Sequence, residues 1–160
     1  MTKTFAAPVI TARQLLDQWQ GHRRLTRRVI AAFPEKDLFE FSIGGMRPFA
    51  QMAEEMIKMG GPGVRGVATG IWEHQEWRDL QYKTKDELLK AWDETTETIE
   101  ETWNKIPAYR FQDIDAAFGQ YEGVLYSTIL YFIDNEIHHR GQGYVYLRAL
   151  GIEPPAFFMR

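Results

Sequence analysis

The sequence predicts an all-α four-helix bundle, and three observations carry that prediction. Four long stretches repeat apolar residues at three- and four-residue intervals. Capping or helix-breaking residues bound those stretches. No segment alternates well enough to read as a strand. At 160 residues, the chain has the length of one domain spanning 1–160, with enough residues to bury a substantial core.

The first helix is expected over about Thr11 to Phe33. Thr11 and Gln14 spell a capping box, in which each side chain satisfies a backbone N–H of the other. Leu15, Leu16, Trp19, Leu25, Val29, Ile30 and Phe33 follow at helical spacing, and Pro34 stops the pattern. The second helix is expected from about Met46 to Met59. Pro48 fits only in its first turn, because proline has no N–H to donate. Phe49, Met52, Ala53, Met56 and Met59 form its apolar face, and Gly60-Gly61-Pro62-Gly63 is expected to end it. Residues 64–82 are aromatic-rich without a clear period, and read as a long connection holding a short helical piece.

The third helix opens on a second capping box, Thr84 with Glu87, and ends before Pro107. Leu88, Trp92, Ile99 and Trp103 set its apolar face, and its other faces are acidic. A second irregular segment, 107–119, precedes a last helix expected from about Gln120 to Leu150, with Gly151 as its C-terminal cap. The apolar tail 156–160 is expected to dock. Long connections argue against a plain up-down-up-down bundle.

Composition narrows the function. There are 19 Lys and Arg against 22 Asp and Glu, a net charge of −3. That balance excludes a dedicated nucleic-acid binder, which needs surplus cations to neutralise phosphates. Arg23, Arg24, Arg27 and Arg28 do cluster, but the acidic third helix offers them partners within the molecule or across a dimer. Cysteine is absent, which excludes disulfides, thiolate-ligated metals and a nucleophilic protein thiol. No apolar run approaches the roughly 20 residues that span a bilayer, and the first ten residues do not read as a secretory leader. A cytoplasmic protein without membrane contact is the expectation.

Polar residues concentrate on the last helix. Thr128, Phe132, Asn135, His139, Gln142 and Tyr146 lie three or four apart and share a stripe bordered by Ile129 and Leu147. Asn135 and His139 therefore point inward, where an unpaired polar group costs a few kcal/mol. A metal ion, a buried water or a partner on another helix must satisfy them. Glu55 borders the apolar face of the second helix and is the candidate partner, either as a ligand to a shared divalent ion or in an ion pair with His139. Glu54 shares a face with Arg47, Gln51 and Lys58 and reads as solvated. Glu136 with His139 spells E-x-x-H, but a di-iron bundle needs a second copy of that motif, and the chain has none. His138 points about 100° away from His139. His22 and His74 read as structural. Gly141 and Gly143 weaken the helix and allow a close approach by another helix or subunit.

The run NEIHHRGQ, from Asn135 to Gln142, is followed by GYVYLRALGIEPP. Together they resemble the C-terminal signature of the DinB/YfiT-like superfamily, and Met46-Arg47-Pro48-Phe49 is similar to the start of that family's second helix. The resemblance implies a four-helix bundle, often a homodimer, with one divalent ion (Zn, Ni, Fe or Mn) held in a pocket by three histidines. In this chain those positions fall on Glu55, Asn135 and His139, so two of the three depart from the pattern. Glu136, His138 and Gln142 would stand around them. The implied activity is that of a metal-dependent transferase or hydrolase acting on a small molecule, with a low-molecular-weight thiol as cofactor. The alternative is a non-catalytic dimeric stress-response or binding module with a degenerate metal site. No catalytic acid or base is assigned.

Overall fold

The computed structural model describes residues 7–160; the first six residues, part of the stretch read for a leader, lie outside the described residues. In chain order the elements are α1 (Ala12–Ala32), α2 (Glu35–Glu40), α3 (Phe49–Thr69), α4 (Lys85–Trp103), a 3-10 turn (Ala108–Gln112), β1 (Ile114–Ala117), β2 (Tyr121–Val124) and α5 (Leu125–Ala149). Both capping boxes form: Thr11 and Gln14 exchange hydrogen bonds at the start of α1, as Thr84 and Glu87 do at the start of α4. Each is worth about 1 kcal/mol of helix stability.

Each long helix has two long neighbours. α3 packs between α4 and α5, and α1 closes the ring against the same two helices. α1 and α3 thus lie on one diagonal. The chain reaches α3 from α1, and α5 from α4, by crossing the end of the bundle. These crossings account for the 33–48 and 104–124 connections and for the departure from a simple up-and-down order, whereas 70–84 joins the neighbours α3 and α4.

Three expectations need correction. The second long helix does not stop at Gly60. α3 runs on through Gly60-Gly61-Pro62-Gly63 to Thr69 and ends at Gly70, which adopts a left-handed conformation with φ 74°. Its glycines are there for close packing. A Cβ on Gly63 would lie 2.7 Å from Cε2 of Phe132 on α5, and one on Gly66 would overlap the ring of Trp72. Helix-breaking residues are tolerated because tertiary contact outweighs local propensity. Second, the segment before α5 contains an antiparallel hairpin, with Ile114 opposite Val124 and Ala117 opposite Tyr121. α5 therefore starts at Leu125 rather than Gln120. Third, the tail docks through polar groups rather than its rings. Arg28 donates to the Met159 carbonyl and Arg160 reaches His22, while Phe157 and Phe158 stay exposed.

The apolar core has two halves. Val29, Phe33, Phe49, Leu88, Trp92 and Tyr146 belong to one. Leu16, Trp19, Val64, Ile99, Leu125 and Phe132 belong to the other. Phe33 and Phe49 stack with centroids 4.9 Å apart, and Phe49 lies so close to Gly143 that a Cβ there would sit 2.6 Å from its ring. The expected close approach at Gly143 is thus made by α3 of the same chain; the space above Gly141 is open.

A buried polar belt crosses the middle of the bundle. On the α1 side, Glu136 is 2% exposed and accepts from Trp19 Nε1 (3.2 Å) and Thr26 Oγ1 (2.7 Å), with Arg23 Nη1 at 3.6 Å. Arg23 lies over the Trp92 ring, 3.4 Å from its centroid, and donates to the Trp92 carbonyl and Thr96 Oγ1. Burial pulls the Arg23 pKa down to about 10 despite Glu136. Arg140 on α5 donates to Thr26 Oγ1 and faces His22. Within the arginine cluster of α1, Arg23 is thus used internally, and Arg27 pairs with Asp93 of the acidic α4 at 2.6 Å.

Candidate functional site

The other side of the belt brings the expected site residues together. Arg47, Gln51 and Glu55 recur every four residues, in and just before the first two turns of α3, and share one face. Asn135, His139 and Gln142 form the facing stripe of α5. Glu55 is the hub. Its Oε1 accepts from Asn135 Nδ2 at 3.0 Å and lies 3.1 Å from His139 Nε2. Its Oε2 is 2.5 Å from Arg47 Nη1. Burial pushes the Glu55 carboxyl up, but the hydrogen bonds from His139, Asn135 and Arg47 outweigh it and hold the group at about 2. Glu55 is thus a carboxylate at any ordinary pH.

Gln142 orients the imidazole. Its Oε1 is 2.7 Å from His139 Nδ1, while its Nε2 donates to Met46 Sδ at 3.3 Å. This contact fixes the plane of the ring and turns Nε2 toward Glu55. The Tyr146 hydroxyl donates to the Arg47 carbonyl and fixes the backbone entering α3. Asn135 Oδ1 is buried with no hydrogen-bond partner, an orphaned acceptor beside the cluster.

Two expected neighbours are elsewhere. Glu136 is turned away from Glu55 into the network with Trp19 and Arg23, and His138 is exposed with its ring 5.0 Å from that of His139. Glu54, read as solvated, is 2% exposed. It pairs with Lys58 at 2.9 Å, and its carboxylate accepts from the Gln81 backbone N–H. Lys58 in turn donates to the carbonyls of Glu76 and Asp79. This buried pair holds the 70–84 connection along α3.

That connection closes one wall of a cavity of about 1010 Å³. Glu55 and Arg47 line it with Gln51, and Met59, Trp77, Phe118 and Phe132 give it apolar walls, with Arg78 and Glu122 also on its lining. A cavity of this size suits a ligand of drug-like dimensions. The regularity of Arg47, Gln51 and Glu55 was a readable signal for the polar end. The aromatic end had none, because its rings come from a connection, a hairpin turn and α5.

Among the described residues no group of three or more His, Asp or Glu converges as a metal site. The donors that do meet are one carboxylate, one imidazole and one amide.

The fold and site define a helical bundle with a polar cluster facing a ligand-sized cavity. The sequence matches the DinB family over residues 1–160, and the chain belongs to that family. Solved structures agree on the fold. A DinB-like protein from Bacillus cereus ATCC 10987 superposes with a TM-score of 0.74 at 15% identity, covering 91% of this chain and 97% of that one. A DinB-like protein from Bacillus subtilis, YjoA, gives 0.74 at 14% identity, covering 92% and 99%. A comparison with curated proteins returns no match. No helix among the described residues is long and apolar enough to cross a membrane.

Proposed function

We propose that this DinB-family chain binds a small molecule in the cavity and holds a divalent ion at its polar end through Glu55, His139 and Asn135. The observation that carries this reading is the orphaned Asn135 Oδ1, buried beside an ionised carboxylate and an imidazole whose Nδ1 is tied to Gln142. Carboxylate, imidazole and amide oxygen together suit a borderline or hard divalent cation better than a soft one. Arg47 would steady the second carboxylate oxygen, as hydrogen-bonded partners of ligating carboxylates commonly do. A bound ion would supply Lewis acidity and lower the pKa of a thiol or water that it holds. The chain has no cysteine, so a sulfur nucleophile would come from a small thiol cofactor. On this reading the protein is a metal-dependent transferase or hydrolase.

One observation favours a second reading. Arg47 already balances the Glu55 charge at 2.5 Å. A cluster satisfied in this way can serve a non-catalytic binding module that holds no ion.

Elemental analysis of untagged protein, purified without chelator, separates the two. About one transition-metal ion per chain, lost in His139→Ala and weakened in Asn135→Ala, supports the first. A metal-free wild type that also fails to take up zinc, manganese or nickel on titration refutes it and leaves the charge-balanced module.

A further inference from the structure

Phe118 is the one non-glycine residue with positive φ among the described residues, at 53°. It occupies the turn of the hairpin, next to Gly119 at φ 72°. A bulky side chain in the left-handed region is strained, and glycine or asparagine would sit there with less strain. Such strain persists where the surroundings hold it, and it gathers at ligand clamps. The ring that this conformation presents is one wall of the cavity. Trp77 meets it edge-on at 5.0 Å and 90°, and Phe132 lies 6.3 Å away. The three rings come from the 70–84 connection, the hairpin and α5, so separate elements converge on one place.

The opposite end of the cavity has donors to spare. Both oxygens of Glu55 are engaged by Asn135, His139 and Arg47. Arg47 uses only Nη1 in hydrogen bonding, so its remaining N–H groups, with the Gln51 amide, are available to a ligand. Arg78, next to Trp77 on the connection, and Glu122 of the hairpin also line the walls, one charge of each sign. From Glu55 to Gly63, where Phe132 packs, is eight residues of α3, about 12 Å of helix. A ligand in the cavity therefore meets spare donors of Arg47 and Gln51 beside Glu55, and the packed rings of Trp77, Phe118 and Phe132 on another wall.

We propose that Phe118, Trp77 and Phe132, packed on one another, form an aromatic wall against which the planar apolar body of a carboxylate ligand lies with its head against Arg47. This deepens the reading of the cavity as a ligand site, and makes Phe118 and Trp77 specificity-determining residues.

The test is calorimetric titration of chelator-treated protein with 2-naphthoate, 2-naphthalenemethanol and 2-naphthylmethylammonium. The expected order of affinity is carboxylate, then alcohol, then ammonium. Phe118→Gly should weaken naphthoate at least tenfold with the helical circular dichroism retained. Trp77→Leu, on a half-buried connection, should do the same and serves if the first variant fails to fold. The aromatic wall is overturned as a ligand surface if naphthoate does not bind the wild type, if the ammonium binds as tightly, or if a folded variant of either kind binds it unchanged. Because chelator is present, a metal-free result in elemental analysis refutes the ion and leaves the aromatic wall standing.

Discussion

Replacing Glu136 by alanine should destabilise the protein strongly while leaving the Glu55 cluster intact. The sequence places Glu136 beside His139; the structure buries it on the α1 side instead. Removing the carboxylate deletes two hydrogen bonds, from Trp19 Nε1 at 3.2 Å and Thr26 Oγ1 at 2.7 Å. Bonds to a charged acceptor contribute about 1.5–3 kcal/mol each. The variant also leaves Arg23, 1% exposed, without the carboxylate 3.6 Å away. Breaking a buried pair from one side costs about 3–5 kcal/mol. These terms overlap, and Arg23 keeps its contacts with Trp92 and Thr96, so the net loss should be about 3–5 kcal/mol. In a chain of 160 residues that lowers Tm by about 6–20 °C. Urea unfolding followed by circular dichroism reads the free energy directly. Glu136→Leu combined with Arg23→Met should lie closer to wild type than Glu136→Leu alone, because the orphaned charge is then gone. A loss below about 1 kcal/mol, or a double variant less stable than the single, would refute the buried-pair account.

Two further outcomes follow from other buried groups. Burial, then the positive charges of Arg140 and Arg160, lowers the His22 pKa from 6.5 to about 4. Between those values the unfolded chain binds a proton that the native state refuses. Stability should therefore fall as pH drops from about 6.5 to about 4, by roughly 3 kcal/mol, and the loss should level off below. Urea unfolding at several pH values should show a flatter profile for His22→Gln, and identical profiles would contradict the assignment. Lys58→Met should release the 70–84 connection, since Lys58 donates to the Glu76 and Asp79 carbonyls. Hydrogen exchange in residues 76–81 should rise well above that of α3, and unchanged protection would show that Trp72 and Trp77 hold the segment without the latch.

The polar belt explains why half of the site could be read in advance. Asn135, His139 and Gln142 share a stripe on any helix, and Glu55 borders an apolar face of α3, so helical spacing alone brings them into register. The same reasoning misplaces Glu136 and Glu54. α5 is buried against α3 on one side and α1 on the other, so the residue after Asn135, turned by about 100°, is inward-facing too. On α3 the surface under Glu54 and Lys58 is covered by a connection with no helical period. Single-helix periodicity carries no information about what a neighbouring segment covers.

Local chemistry settled where α1 and α4 begin, because their capping boxes close within four residues, and it settled the helical class, because the apolar spacing recurs along the whole chain. The continuation of α3 through Gly60-Gly61-Pro62-Gly63, the diagonal crossings and the strained turn at Phe118 depended on distant residues. Ile99 and Phe132 pack where side chains on Gly60 and Gly63 would stand, and Trp77 packs edge-on against Phe118. Contacts between residues far apart in the chain outweigh local propensity at those places, so only the assembled bundle could decide them.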